Sequence, residues 1–265
     1  MNNEAAIPVC AVVAVTPAAS QQARRIAGEI GCELLPAGGP MQAKLLLMVG
    51  TDDLWLQRRD GHGTSPVRVD FASPTLLHRR RSGHNEMLGR AVGVKSDRYP
   101  LVFDATAGLG RDAYVLADLG CTVWLVERSP VLALLLQRGL DNAAISQVTQ
   151  VRNAVSQMSV QRADSCQLSA PKGAVIYLDP MFTARRGRAA VKKDLDALQL
   201  LHEQCRDDGP ELFDWALAQP ASRIVVKRPL KGPALAELKP SHTLKGKAIR
   251  FDVYVRPEAP CITVD

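Results

Sequence analysis

The stretch Val102-Phe103-Asp104-Ala105-Thr106-Ala107-Gly108-Leu109-Gly110-Arg111-Asp112 constrains the fold of this chain more than any other. An apolar run ends in an acid, a glycine-rich turn follows, and an amphipathic segment begins. That order predicts a strand that feeds a helix through a loop lying against a nucleotide, because glycine lets the backbone approach a ligand where a Cβ would collide. Two cofactor classes use this layout, and the rest of the sequence has to separate them.

The surroundings alternate in character. Residues 7–15 read as a buried strand, and 20–31 as a helix with Ser20 capping its start and Gly31 ending it. Segments 44–50, 53–58 and 67–71 have strand character. Together they predict a small N-terminal α/β domain over residues 1–75. Residues 76–81 are basic, 85–92 read as helical, and Tyr99-Pro100 marks entry into a new unit. There strands are predicted at 101–104, 121–127, 148–152, 174–179, 223–227 and 249–255. Helices are predicted at 112–119, closed by Gly120, and at 130–140, 189–205 and 211–218. Strands interleaved with helices imply a mostly parallel sheet covered on both faces, a Rossmann-like α/β domain over residues 76–265.

A net charge of +6 on 265 residues says little about partners, but its distribution says more. Residues 1–56 carry three Lys/Arg and five Asp/Glu, whereas 57–100 carry nine basic and four acidic residues. Residues 183–193 hold five basic residues and no acid, and 223–250 hold eight basic and one acidic. Local positive density of this kind is what a polyanion-binding face needs. Cys10, Cys32, Cys121, Cys166, Cys205 and Cys261 show no CxxC spacing, and the histidines form no ligand-like pair with them. Neither a metal site nor a disulfide framework is therefore expected, and a reducing compartment, the cytoplasm, fits. The apolar run at 7–15 follows Glu4 rather than a Lys or Arg and is too short to span a membrane, so no membrane association is expected.

Gly108-Leu109-Gly110-Arg111-Asp112-Ala113 satisfies the GxGxx(G/A) dinucleotide pattern, and Glu127 ends the next strand, where an acid can bind ribose hydroxyls. NAD is one reading of that pattern. Two features favour S-adenosylmethionine instead. Asp104 stands just before the loop, and a carboxylate there suits a ligand carrying an ammonium and a sulfonium, while a pyrophosphate gains nothing from it. Leu178-Asp179-Pro180-Met181-Phe182 follows the fourth strand, and ligands of open α/β sheets sit beyond the carboxyl ends of the strands. The segment resembles the (D/N)PP(Y/F) motif of methyltransferases acting on exocyclic amines of bases, with Met181 in place of a proline. An aromatic amine is a poor nucleophile because its lone pair is delocalised into the ring. Asp179 and the Pro180 carbonyl can hold its N–H groups, and Phe182 can stack on the base.

Taken in order, Asp104 to Asp112, Val126-Glu127-Arg128, Tyr177 to Phe182, Val191-Lys192-Lys193 and Val225-Val226-Lys227-Arg228-Pro229 resemble the ribosomal small-subunit methyltransferase J family. His78-Arg79-Arg80-Arg81 and Arg250-Phe251-Asp252-Val253-Tyr254 match as well, so the resemblance spans residues 67–255, while 1–66 match only in general character. It implies a class I methyltransferase domain that moves a methyl group from S-adenosylmethionine to the exocyclic N2 of a guanosine in 16S rRNA, leaving S-adenosylhomocysteine and needing no metal. It also implies cofactor contacts from Arg111, Asp112, Glu127, Arg128 and Asp179, and from Asp164-Ser165, where the family more often has small hydroxyl residues. With Asp104, Gly108 and Gly110 these make the expected cofactor site, and Asp179, Pro180 and Phe182 the expected catalytic set.

Arg79, Arg80, Arg81, Arg185, Arg186, Arg188, Lys192, Lys193, Lys227 and Arg228 are the candidate RNA contacts. The expected partner is small-subunit rRNA or the assembled subunit, with no obligate protein partner evident. Three other readings stay open at this level: an adenine-N6 methyltransferase, an NAD-dependent oxidoreductase, and a non-catalytic RNA-binding module on the same fold.

Overall fold

The computed structural model describes residues 9–36, 43–59, 66–81, 86–180, 200–201 and 209–256. The side chains of Arg79, Arg80 and Arg81 lie outside this description, as do Phe182, Arg185, Arg186, Arg188, Lys192, Lys193 and nearly all of the helix expected at 189–205. The chain divides into two compact units, of which Asp70–Pro180 with Asp207–Asp265 forms the larger.

The smaller unit carries a four-stranded sheet built from β1 (Cys10–Ala14), β2 (Glu33–Leu35), β3 (Leu45–Val49) and β4 (Leu54–Arg58) in the order β2-β1-β3-β4. β1 is parallel to β2 and to β3, and β4 returns antiparallel. Between β1 and β2 runs α1 (Ser20–Ile30), whose buried Ala23, Ile26, Ala27 and Ile30 recur at helical spacing, and Gly31 ends it in the left-handed region (φ 68°). Ser20 is not the cap. A 3₁₀ turn at Pro17–Ala19 precedes the helix, Ala19 occupies the cap position, and Ser20 is the first helical residue. The strand expected at 67–71 reduces to a single bridge between Val67 and Leu56. Asp70 breaks the extended run by accepting from the Ala72 N–H through Oδ1.

The larger unit holds α2 (Pro74–Arg81), α3 (Glu86–Val92), β5 (Leu101–Asp104), α4 (Arg111–Asp118), β6 (Thr122–Glu127), α5 (Pro130–Ala144), α6 (Thr149–Val155), β7 (Met158–Arg162), β8 (Val175–Leu178), α7 (Gly209–Ala218), β9 (Arg223–Pro229), β10 (His242–Lys245) and β11 (Ile249–Val255). Its seven strands lie in the order β10-β11-β9-β8-β5-β6-β7. β7, β6, β5, β8 and β9 are mutually parallel, and β11 and β10 are antiparallel additions at one edge. The chain winds outward from β5 through β6 to β7, then crosses back to β8 and β9. The reversal opens a crevice between β5 and β8 at their carboxyl ends, the position where open α/β sheets bind ligands.

The strand expected at 148–152 is instead the helix α6. Its buried Val151, Ala154 and Val155 are spaced for one helical face, and the third strand falls later, at β7. β7 is an edge strand with one buried residue in five, so its apolar alternation is too weak to stand out. One face of the sheet, carrying Phe103, Ile176, Leu178, Ile224 and Val226, packs against Leu212, Phe213 and Ala216 of α7. No helix among the described residues is long and apolar enough to cross a membrane.

Candidate active site

The glycine loop between β5 and α4 is held in shape by its own backbone. Gly108 (φ 54°) and Gly110 (φ 68°) both sit in the left-handed region. A Cβ on Gly110 would come within 2.7 Å of Leu136 Cδ1 and 3.3 Å of Phe71 Cζ, so packing adds to the preference for glycine that the positive φ sets. A Cβ on Gly108 would meet nothing nearer than the Thr106 carbonyl at 3.9 Å, so here the loop leaves open space. The Gly108 N–H donates to Glu127 Oε2 at 2.9 Å and the Ser129 N–H to Glu127 Oε1 at 2.7 Å. The acid at the end of β6 therefore ties the loop to the start of α5. The Ser165 hydroxyl, buried, donates to the Ala105 carbonyl at 2.8 Å, bracing the loop from the other side.

Among the described residues, four carboxyl groups and one ammonium stand around the crevice mouth. Asp104 ends β5, Glu127 ends β6, Asp179 directly follows β8, and Asp112 lies in the first turn of α4. Lys227 of β9 reaches between two of them: its Nζ donates to Asp112 Oδ2 at 2.6 Å and to Asp179 Oδ2 at 2.7 Å. The Tyr177 hydroxyl also donates to Asp112 Oδ2, at 2.8 Å. The Asp179 N–H donates to Thr106 Oγ1 at 2.7 Å, which joins the Asp-Pro turn to the glycine loop. Asp179 is half-buried, and Pro180 is buried.

Burial dominates the acid–base behaviour here. It pushes the Asp104 carboxyl up to about 8, against the Thr106 N–H that favours the charged form, and the charges of Asp112, Asp179 and Glu127 push the same way as burial. Glu127 is raised by burial, although the N–H groups of Ser129 and Gly108 and the charge of Arg128 pull it back. Tyr177 is held neutral by burial and by the carboxylates of Asp112, Asp179 and Asp104. For Lys227, burial alone would favour the neutral amine. The charges of Asp112 and Asp179 outweigh it and hold the ammonium above its ordinary range.

The donor set suits a cation. Carboxyl groups outnumber the ammonium, and the glycine loop offers an open backbone surface beside them. A ligand with a sulfonium and an ammonium fits that field better than a pyrophosphate, which would meet an excess of carboxyl groups. Among the described residues no cluster of His, Cys, Asp and Glu could hold a metal ion.

Of the residues singled out from the sequence, Asp104, Gly108, Gly110, Asp112, Glu127, Asp179 and Pro180 cluster at this crevice. Arg128 lies beside Glu127, and Arg111 opens α4 with its side chain exposed. Asp164, just beyond β7, caps a 3₁₀ turn by accepting from the Cys166 N–H at 2.9 Å. Three expectations change. Ser165 spends its side chain on Ala105 and serves the loop's shape. Lys227 is no surface cation waiting for a phosphate, since two carboxylates share its charge. Arg228 is 2% exposed with Nε donating to the Pro233 carbonyl at 2.8 Å, so its guanidinium is out of reach of RNA. Conversely, Thr106 and Tyr177 enter the site unannounced. Their signal was a lone hydroxyl inside a glycine-rich turn and a lone phenol in the apolar run before Asp179.

The SAM-dependent methyltransferase family (SAM_MT) matches residues 35–256. Ribosomal RNA small subunit methyltransferase J of Dechloromonas aromatica is 43% identical over 226 residues, covering 83% of this chain and 90% of that protein. Its namesake from Pseudomonas aeruginosa is 39% identical, covering 95% of this chain and 96% of that protein. The crystal structure of the SAM-dependent methyltransferase NGO1261 from Neisseria gonorrhoeae superposes with a TM-score of 0.70 at 29% identity, covering 92% of this chain and 95% of that one. The nicotinamide reading is thereby set aside. The chain is an S-adenosylmethionine-dependent enzyme and belongs to the ribosomal RNA small subunit methyltransferase J family of SAM-dependent methyltransferases.

Proposed function

We propose that this protein methylates the exocyclic N2 of a guanosine in 16S small-subunit rRNA, with S-adenosylmethionine as methyl donor. The observation that carries the reading is the fixed Asp179, set at the carboxyl end of β8 by Lys227 and Thr106 and adjoining the glycine loop. The relatives, named as ribosomal RNA small subunit methyltransferases, support the RNA class. Such an enzyme works where small subunits are made, the cytoplasm, on the RNA or on the assembled subunit.

Bound S-adenosylmethionine supplies an electrophilic methyl group. The residues proposed to hold it are Asp104, Gly108, Gly110, Arg111, Asp112, Glu127, Arg128 and Asp164, with Ser165 shaping the loop. Asp179 accepts one N–H of the guanine amine and the Pro180 carbonyl accepts the other, which favours a pyramidal nitrogen with its lone pair aimed into the crevice. A carboxylate has about four acceptor positions, so the bond to Lys227 leaves Asp179 capacity for the amine. Asp179 need not be a strong base, because the amine proton becomes acidic as the new N–C bond forms. Phe182 is proposed to stack on the base, and Arg79, Arg80, Arg81, Arg185, Arg186, Arg188, Lys192 and Lys193 to engage phosphates. A paired guanine has to leave its stack first.

Asp179→Ala tests the assignment. Methyl transfer to small-subunit rRNA is expected to fall by about 10² or more, while calorimetry still detects S-adenosylhomocysteine binding. Unchanged transfer would remove Asp179 from its role. Nucleoside mass spectrometry of RNA from cells lacking the protein should show loss of N2-methylguanosine; loss of N6-methyladenosine instead would favour the adenine reading.

A further inference from the structure

The large sheet carries a second concavity at the end away from the glycine loop. Pro100 precedes β5, Val175 opens β8, and Arg223 opens β9 opposite Val255 at the end of β11. Together with the turn after α3 they line a cavity of about 180 Å³. Lys95, Arg98, Arg223 and Arg256 all line it, and among the described residues none of its lining is a carboxylate. Asp97, in the same turn, is not part of the lining.

Two of these cations are held in place by backbone carbonyls. Arg223 Nη1 donates to the Ala91 carbonyl at 2.8 Å, at the end of α3. Its guanidinium lies over Gly93 (φ 87°), where a Cβ would come 3.2 Å from Cζ and 3.3 Å from Nη2. A glycine is needed there both for the backbone conformation and for the closeness of the guanidinium. Arg256 Nη1 donates to the carbonyl oxygens of Leu217 and Gln219. Carbonyls orient a guanidinium without cancelling its charge. Burial and the neighbouring charge of Arg98 both weigh against protonated Arg223, so the fold tolerates like charges gathered in one hollow. Guanidinium forks match the oxygens of a tetrahedral oxyanion, and each Arg has five N–H donors to offer.

We propose that this cavity is a phosphate-binding site separate from the methyl-transfer crevice, and that the phosphate belongs to the backbone of the RNA substrate. The RNA source rests on the function proposed above; the phosphate chemistry does not. From Arg223 to Lys227 the strand advances about 13 Å. A folded RNA offers phosphates on that scale, so a contact here would fix the direction in which the substrate lies across the domain.

Lys95 and Arg98 are exposed, so their replacement leaves the packing alone. The test compares wild type with the double variant K95Q/R98Q in two titrations, with S-adenosylhomocysteine affinity and the unfolding midpoint as controls expected to stay unchanged. Inorganic phosphate, followed by ³¹P line broadening, is expected to bind wild type and not the variant. A small-subunit rRNA fragment is expected to bind the variant several-fold more weakly, with a slope of log K against log salt lower by about 1. Phosphate binding lost in the variant with an unchanged RNA slope would keep the anion site but assign it to a free phosphate compound, overturning the RNA source. Equal phosphate behaviour and equal RNA slopes in the two proteins would overturn the site. Failure of wild type to methylate rRNA would instead defeat the function proposed above, and the phosphate titration would still report on the cavity.

Discussion

Lys227→Met separates a cation that organises the crevice from one that holds RNA. The ammonium contacts Asp112 Oδ2 and Asp179 Oδ2 at 2.6 and 2.7 Å, and the three side chains are 22%, 9% and 36% exposed. Methionine keeps most of the stem and removes the charge. At an effective dielectric near 20, a unit charge pair about 4 Å apart is worth about 4 kcal/mol. Asp179 is over a third exposed, so solvent screening cuts its share to roughly 2 kcal/mol. The acid limb of the kcat/KM profile for methyl transfer should therefore move to higher pH, because Asp179 loses the cation that favours its charged form. Asp112 loses a cation where little water reaches but keeps the Tyr177 hydroxyl, so the stability cost is set below that of a fully buried broken pair, at about 2–3 kcal/mol. For a chain of this size that lowers Tm by roughly 5–10 °C. Because the folded pKa of Lys227 is raised, the bridge contributes fully below the ordinary lysine value and is lost only as pH rises beyond it, so the wild-type acid limb does not report on Lys227 itself. The assays are a pH–rate series with saturating methyl donor and a thermal melt. An unmoved acid limb, with weaker RNA binding and a salt slope lower by about 1, would refute the reasoning and restore Lys227 to phosphate contact.

The loop and the buried acid give two further tests. Asp104 binds its proton more tightly when folded, so its contribution is fully present below the unfolded value near 4 and is lost as pH rises to about 8. Melts of the ligand-free protein should show stability falling across that window by up to about 1 kcal/mol per pH unit, and Asp104→Asn should flatten the fall; equal slopes in both proteins would show that Asp104 ionises normally. Gly110→Ala forces a side chain into the left-handed region and against Leu136, which should cost about 2–4 kcal/mol, whereas Gly108→Ala meets open space and should cost only about 1 kcal/mol while weakening S-adenosylhomocysteine binding. Equal destabilisation by the two substitutions would contradict the packing derived for the loop.

Much of the fold was legible because the central strands are buried on both faces. β5, β6, β8 and β9 read as apolar runs punctuated by Gly and Pro, with α4 closing just before Gly120 and α7 just before Pro220. The edge strands β2, β7 and β10 are short or half-solvated, so their side chains carry little pattern, and the β-branched start of α6 then passed for the missing third strand. The acids of the crevice were legible for a similar reason: a carboxylate that ends an apolar strand is conspicuous. Lys227 is legible as a cation, but its partners are not. Its neighbours in sequence are Val226 and Arg228, and nothing in that triplet tells which carboxylates lie across the sheet. Arg228 failed by the same route, since a Lys-Arg pair on a strand puts its two side chains on opposite faces and only one of them can face the crevice.

Register explains why that assignment was out of reach from one segment alone. Asp104 pairs with Tyr177, and Tyr177 pairs with Val225, two residues before Lys227. Ile224 and Val226 point to the α7 side, where they pack with Ile176, Leu178 and Phe213. The period of two then commits Val225 and Lys227 to the other face, with Tyr177 and Asp112. A slip of one residue in β9 would bury the ammonium against α7 and hand the crevice a valine, so the packing of an apolar face sets the position of the charge. Asp179 inherits its place the same way, since β8 is held between β5 and β9 and the first residue beyond it must emerge at the mouth of the crevice. Substitutions that loosen the α7 face, such as Phe213→Ala, should therefore shift the acid limb of activity in the same direction as Lys227→Met, though no atom of Phe213 touches the crevice; a melt lowered by about 3–5 kcal/mol with an unmoved acid limb would show that the bridge holds itself.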